Sequence, residues 1–474
     1  MQPYQQRQLI EKYINSERGS FEKPFGSYKS SVLVFPNSYH VGMSNLGFQV
    51  VYKIINQRDD FLCDRFFTDF ELTLENQRHL NEFDIIFFSV PFEMDYPNIL
   101  KILSDSRIPL LSKDRDDRYP IIAIGGIGVL VNPLPIADFV DVIIPDEAEP
   151  ILDKFFEIYN KNSDRNDFFE ELAKTDNFIV PSLMNDSLIH EKIEKRCSLK
   201  ELNNSETMTQ IYTPLTEFSN MCLIEISRGC AYNCPFCFVG GNIKPYRIRH
   251  FEKIKEMIDK GMQYTKSFGF VSSAVCSHPD IERVCDYCNE HGLSASFSSL
   301  RLQDITPKII ETLVKSGQET FTIAPEAGTE RLRKVLKKST DDELILKVVK
   351  QALQAGILNI KLYFMIDLPT ETQEDIDGIV KLSQKIYNEM TQSAKGSAKI
   401  GDLILNIGIF IPKPNTPFSN HIMSAKKDLN NKIKYLNSEL KKIKNMKLTI
   451  TSVKSALNQY EIAHGDRNFL KKIN

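Results

Sequence analysis

Two stretches of the chain share one rhythm: short continuous apolar runs alternate with longer segments whose apolar residues recur every three or four positions. In the first stretch the runs are 30–35, 83–90, 120–126 and 141–145. Helical spacing follows them at 48–56, 96–104 and 149–159. Such alternation predicts a parallel sheet covered on both faces, here a doubly wound, Rossmann-like domain over 28–160. Ligands of these sheets sit outside the carboxyl ends of the strands, so the loops 37–42, 89–93, 125–132 and 146–149 are expected to share one rim. In the second stretch the strands are 222–226, 267–272, 293–298, 319–323, 359–365 and 403–409, and the intervening helices carry patterns such as Ile345, Val348, Val349 and Leu353. Six such units over 221–417 predict an open (β/α)6 form of the eight-unit TIM barrel, with its active site at the carboxyl ends of the strands.

The remaining segments lack that rhythm. Residues 1–27 read as a polar N-terminal segment, and 161–220, rich in Asn, Asp, Ser, Lys and Glu, as a linker with a few short strands. The stretch 418–474 reads as a basic helical extension. Its Lys426, Lys427, Lys432, Lys434, Lys441, Lys442, Lys444 and Lys447 fall on what looks like one amphipathic helix, which is a solvated face or a phosphate-backbone contact.

The densest chemistry lies in S-R-G-C-A-Y-N-C-P-F-C-F-V, where Cys230, Cys234 and Cys237 are spaced C-x3-C-x2-C. Gly229 and Pro235 interrupt regular structure, so the loop is able to wrap an object. A 4Fe-4S cluster is usually held by four thiolates, and three leave one iron open to another ligand. Zinc is the alternative, but structural zinc wants four ligands and no second pair follows at the usual distance. Cys285 and Cys288 form C-D-Y-C within a helical pattern near Cys276, with no fourth ligand evident.

Composition narrows the setting. Hydrophobic content of 42%, charged content of 26% and a net charge of -3 over 474 residues are those of an ordinary globular protein and argue against a globally nucleic-acid-binding surface. No apolar run of a signal peptide or a membrane span is evident, and nine cysteines with three in one motif suit a reducing compartment. The expectation is a cytoplasmic protein without a membrane partner.

The cysteine motif, with Phe236 before its last cysteine, resembles that of the radical S-adenosylmethionine (SAM) enzymes. The resemblance implies that the open iron chelates SAM and that an electron from the reduced cluster cleaves it to methionine and a 5'-deoxyadenosyl radical. A reductant such as flavodoxin or ferredoxin is then the implied partner. It also implies SAM contacts at Phe236, at Ser272 and Ser273 after the second strand, at Arg301 after the third and at Glu326 after the fourth. Arg301 and Glu326 are also suited to pair with each other at the barrel mouth. The first domain resembles the cobalamin-binding domain fused in front of many of these enzymes, which implies Asn37, Tyr39, Gly42, Gly125 and Gly126 as cobalamin contacts. There the motif D-x-H-x-x-G is met by Asn37, Tyr39 and Gly42, so a phenol stands where the cobalt-ligating imidazole belongs, with His40 one residue away. With P-N-S-Y-H-V-G-M-S-N-L-G, A-P-E-A-G-T-E-R-L-R, L-Y-F-M-I-D-L-P-T-E-T, F-I-P-K-P-N-T-P-F and H-G-D-R, the chain resembles a cobalamin-domain-fused subgroup of radical SAM proteins. Group transfer, methyl transfer or rearrangement with cobalamin is implied. Modification of RNA or protein with a cofactor-free front domain, and a cluster-binding regulator without turnover, are the alternatives.

Overall fold

The apolar runs of the first stretch become strands of a single parallel sheet: β1 (Lys29–Phe35), β2 (Phe61–Phe67), β3 (Ile85–Ser89), β4 (Ile121–Gly125) and β5 (Val142–Ile144). The structure, a computed structural model, describes residues 3–394 and 400–473. Strand order is β2-β1-β3-β4-β5, with every neighbouring pair parallel. This is the flavodoxin-like doubly wound order, whose switch point lies between β1 and β3. Beneath the sheet an aromatic core forms, with Phe35, Phe48, Phe61, Phe67, Phe87, Phe155 and Phe156 all buried.

Strand β2 escapes the apolar pattern because Asp64 and Arg65 interrupt it, yet all seven residues are buried. Both charges are compensated inside. Asp64 accepts from the Thr73 hydroxyl at 2.7 Å and from Asn76 Nδ2 at 2.7 Å. Arg65 reaches Glu17 at 2.6 Å and 2.9 Å and Glu75 at 2.6 Å, with its guanidinium over the Tyr52 ring. Burying a charge is tolerable only with such pairing.

The chain forms two compact units, residues 1–221 with 461–474, and residues 222–460. Of the segments expected to be peripheral, residues 1–27, 161–220 and the last fourteen, 461–474, belong to the first unit's body. Residues 1–27 include the helix Pro3–Ile14, whose Ile10 is in the core, and Arg18 pairs through its backbone with Tyr212. Residues 161–220 are not a linker with strands: they form the helices Arg165–Lys174 and Asp186–Glu194 and bury Phe168, Leu172, Phe178, Val180 and Ile211. Their few apolar residues suffice because Phe168 and Leu172 stand one helical turn apart and face the same way. The terminal motif His464-Gly465-Asp466-Arg467 is a staple. Asn132 Nδ2 donates to the Gly465 carbonyl at 2.8 Å, and Arg467 holds Asp138 at 3.0 Å and the Met184 carbonyl at 2.8 Å.

In the second unit β6 (Cys222–Glu225), β9 (Ser267–Val271) and β10 (Ser294–Phe297) form one parallel sheet. A short antiparallel pair, β7 (Ser227–Arg228) and β8 (Arg247–Ile248), lies between β6 and β9 in the chain. The second parallel sheet holds β11 (Thr320–Glu326), β12 (Asn359–Ile366), β13 (Leu403–Ile409) and β14 (Met446–Ile450). The six expected strands are joined by a seventh, β14, drawn from the basic extension. That extension is therefore not one helix: Lys426, Lys427, Lys432 and Lys434 lie on the helix Lys426–Leu440, whereas Lys447 lies on β14. The alternation Met446-Lys447-Leu448-Thr449-Ile450 has the period of a strand. Lys432 is drawn inward onto Glu371 at 2.7 Å and Asp367 at 3.2 Å, which makes it a structural cation.

Candidate functional site

The cysteine loop is closed at its base by β7 and β8, with Ser227 opposite Ile248 and Arg228 opposite Arg247. Two arginines tie this base to the end of β6. Arg228 reaches the Glu225 carboxylate through two bonds of 2.9 Å, and the buried Arg249 donates to the Glu225 carbonyl at 2.7 Å. The chain enters the loop at Gly229 with φ +79°, where a Cβ would come within 2.5 Å of the Ile243 carbonyl, so only glycine makes this turn. Cys237 N donates to the Cys234 carbonyl at 3.0 Å, and the helix Phe238–Asn242 follows at once.

Cys230, Cys234 and Cys237 are all free thiols of intermediate burial. Burial pushes the Cys230 and Cys234 thiols up, while the fields of Arg301 and Lys338 pull both back toward the thiolate. Among the described residues, no three His, Cys, Asp or Glu side chains converge on a single ion position.

Around the loop the expected SAM contacts divide. Phe236 is half-buried and, with Met365, packs on the apolar cluster Ala327, Leu332, Leu336, Leu368 and Phe410. Ser273 is exposed. Ser272 is buried and serves the strand ends: its hydroxyl lies 2.5 Å from that of Ser227, and its backbone bonds twice with the Ser298 hydroxyl. Arg301 and Glu326 do not pair. Glu326, at φ +68°, accepts from Lys338 at 2.6 Å, whereas the Arg301 guanidinium lies 3.4 Å from the Tyr232 ring centroid. A non-glycine residue held at positive φ at a strand end is a strained position of the kind that gathers at functional sites. Replacing Glu326 with Gln is expected to weaken SAM binding severalfold in calorimetry while iron content is unchanged; unaltered affinity would make Glu326 only a partner of Lys338.

The rest of A-P-E-A-G-T-E-R-L-R is structural. A Cβ on Gly328 would lie 2.2 Å from Ile379 N, so this glycine permits two backbones to cross. Arg333 is fully buried and donates to the Thr340 carbonyl at 2.7 Å and to Asp342. Asp367, also at positive φ, is buried and accepts from Ser424 N at 2.9 Å. Cys276, Cys285 and Cys288 are buried, and desolvation pushes them to about 12, 11 and 12, so they remain protonated core thiols.

Sequence reasoning missed Tyr232, Asp304 and Lys338. Their only signals are a tyrosine inside the C-x3-C gap, an aspartate three residues after Arg301, and a lysine in K-K-S-T. It passed over Lys361 and Tyr363 too, which with Met365 form a row that faces away from buried Ile360, Leu362, Phe364 and Ile366 and lies in register with Ile404, Asn406 and Gly408.

In the first unit the rim residues are placed differently from the expectation. Asn37 follows β1 at the switch point and its Nδ2 donates to Asp95 at 3.2 Å. Tyr39 does not face the rim: it is fully buried and its hydroxyl donates to Glu17 at 2.5 Å. Burial, with Glu17 alongside, pushes that phenol far above the usual tyrosine range, so it is neutral. A Cβ on Gly42 would strike the Phe67 ring at 2.4 Å, and one on Gly126, at φ +113°, the Val90 carbonyl at 2.6 Å. Gly125 lies against the Ile144 carbonyl. The packing of the chain itself thus accounts for Tyr39, Gly42 and Gly126. His40 is occupied as well, 3.2 Å from the Leu215 carbonyl and 3.3 Å from Glu217. Val41, on the short helix Tyr39–Met43, and Phe92, on the loop after β3, remain as exposed apolar side chains of this rim.

Comparison with known proteins covers both units. The family of N-terminal regions of radical SAM proteins matches residues 47–181, and the radical SAM superfamily matches 224–383. An uncharacterized protein of Methanocaldococcus jannaschii is 29% identical over 94% of this chain and 90% of its own. The radical SAM methyltransferase TsrM of Kitasatospora setae, solved with tryptophan and a SAM analogue, superposes with a TM-score of 0.57 at 13% identity, over 82% of this chain and 75% of its own. The cobalamin-dependent radical SAM enzyme OxsB gives 0.52 at 14% identity over 75% of this chain, which spans about half of that enzyme, 52%. At these identities the two structures speak to fold alone, a doubly wound domain followed by a partial barrel. Among the described residues no helix is long and apolar enough to cross a membrane. The two family matches fall in order on the two units, and the second contains the cysteine loop: the chain belongs to the radical SAM superfamily and is an enzyme built for a 4Fe-4S cluster and SAM.

Proposed function

We propose that this protein is a cobalamin-assisted radical SAM group-transfer enzyme, with methyl transfer as its reaction. The observation that carries the reading is the succession of a 2-1-3-4-5 doubly wound sheet and a radical SAM unit whose two parallel sheets hold seven strands among the described residues, in a chain that superposes over most of its length on the methyltransferase TsrM and the cobalamin-dependent OxsB. Cys230, Cys234 and Cys237 hold the cluster, and the base of their loop is fixed by Glu225, Arg228 and Arg249. Phe236 and Met365 offer SAM an apolar wall, Ser273 and Glu326 accept from its polar groups, and Arg301 attracts its carboxylate. Cluster and SAM together supply the one-electron chemistry, fed by a flavodoxin- or ferredoxin-class donor in a reducing compartment such as the cytoplasm.

Cobalamin docks on the rim of the first unit beside Asn37, against Val41 and Phe92, and receives no ligand from the loop that carries Tyr39. With Tyr39 buried and His40 engaged by Leu215 and Glu217, no imidazole is presented there. Anaerobic reconstitution with cobalamin tests this. The cobalt(II) state is expected to show no nitrogen splitting from a histidine in electron paramagnetic resonance; a splitting lost in His40→Ala would overturn the ligand assignment. Failure to retain cobalamin favours the second reading, a first unit that is a scaffold, for which the internal packing of Tyr39, Gly42 and Gly126 speaks.

A further inference from the structure

Tyr232 occupies the three-residue gap between Cys230 and Cys234, and three side chains meet on it. Its hydroxyl donates to Asp304 Oδ2 at 2.7 Å and lies 3.1 Å from the Ser277 hydroxyl. Ser277 donates to that same Asp304 oxygen at 2.5 Å. Over the ring sits the Arg301 guanidinium, its carbon 3.4 Å from the centroid and its side chain 16% exposed. Arg301 Nε is buried with no hydrogen-bond partner among the described residues, and its nearest carboxylate oxygen, on Asp304, is 3.8 Å away. The cation is therefore held by a ring face and a distant carboxylate, without a hydrogen-bonded ion pair to neutralise it. An arginine suits this arrangement because its planar, weakly hydrated guanidinium stacks on aromatic rings and stays charged.

We infer that Arg301 is a positioning charge for the cluster: Tyr232, fixed by Asp304 and Ser277, holds it beside the cysteine loop, where it stabilises the reduced cluster. The inference rests on the assignment of the cluster to Cys230, Cys234 and Cys237. The step concerned is the transfer of one electron from a low-potential one-electron donor to the oxidised cluster. That transfer makes the cluster more negative by one unit while the donor is oxidised by one. A fixed cation near the sulfur ligands favours the more negative state, and net local charge and exposure are among the terms that set cluster potentials. Asp304 opposes the effect in part, and its distance from Nε, together with its two hydroxyl donors, limits that opposition. Arg301 would thus act on the cluster before SAM arrives, a task separate from attracting the SAM carboxylate.

The two tasks are separable by redox titration of the anaerobically reconstituted full chain without SAM, followed by electron paramagnetic resonance, with iron and sulfide content determined on each sample. In Arg301→Gln the midpoint is expected to fall, the reduced form losing about tenfold in equilibrium, which is ~59 mV for one electron. Arg301→Lys should recover part of the shift, because charge returns without the planar stack. Tyr232→Leu, which keeps the charge and removes its platform, should also lower the midpoint and broaden the spectrum. An unchanged midpoint in both Arg301→Gln and Tyr232→Leu at wild-type iron content overturns the inference. If Arg301→Gln loses its cluster, Arg301→Lys and Tyr232→Leu decide it, and unchanged midpoints in both overturn it. Absence of a cluster from the wild-type chain would instead strike the functional assignment itself.

Discussion

Replacing Cys234 with Ala is expected to abolish the cluster while leaving the fold intact. On the proposed assignment each thiolate holds one iron, so with one removed two irons lack a protein ligand and the cube is no longer held against loss. The side chain is half-buried in a loop whose shape is set elsewhere, by the β7–β8 pair, Gly229 and the arginines on Glu225. Truncation to Ala therefore removes little packing, and circular dichroism should be unchanged. Iron and acid-labile sulfide in the anaerobically reconstituted variant should fall to a small fraction of wild type, and SAM cleavage with them. Full retention of both would show that the ligand set lies elsewhere.

The second large effect belongs to Arg65. Its guanidinium joins two buried carboxylates, Glu17 and Glu75, which also accept from Tyr39 and Tyr52. Arg65→Met fits the volume but leaves both acids without a cation in an apolar core. Breaking a buried pair by removing one partner costs about 3–5 kcal/mol, and the loss should appear as a lower urea midpoint with little change in slope. Adding Glu17→Gln and Glu75→Gln to Arg65→Met is expected to recover part of the loss. An unaltered midpoint in the single variant would mean that water reaches these groups.

This network also shows where the sequence is legible and where it is not. Strands β1, β3, β4 and β5 announce themselves as apolar runs with any charge confined to their start, but β2 does not, because the compensation of Asp64 and Arg65 comes from Glu17, Thr73, Glu75 and Asn76, which no local window joins. Residues 161–220 look like a linker because their apolar content is low; what matters is that Phe168 and Leu172 point the same way. At the site, spacing alone singles out Cys230, Cys234 and Cys237 as the proposed cluster ligands. The partners of Glu326 and Arg301 are not readable, since Lys338 and Tyr232 come from other segments and meet them only in the folded unit. Tyr39 stands apart. The departure from the expected histidine is visible in the sequence, whereas its use as a buried donor to Glu17 is visible only in the fold.

The staple formed by Gly465 and Arg467 bears on the order in which the newborn chain matures. The first unit needs residues 461–474, which leave the ribosome some 240 residues after Met221, the end of its other segment. At about 5–20 residues per second, that delay is roughly 10–50 s. During this interval Asn132, Asp138 and the Met184 carbonyl lack the partners they later hold, while the cysteine-bearing unit, residues 222–460, emerges and is complete at its end. The radical-generating half is thus able to take its shape first, and the half that opens the chain is sealed last.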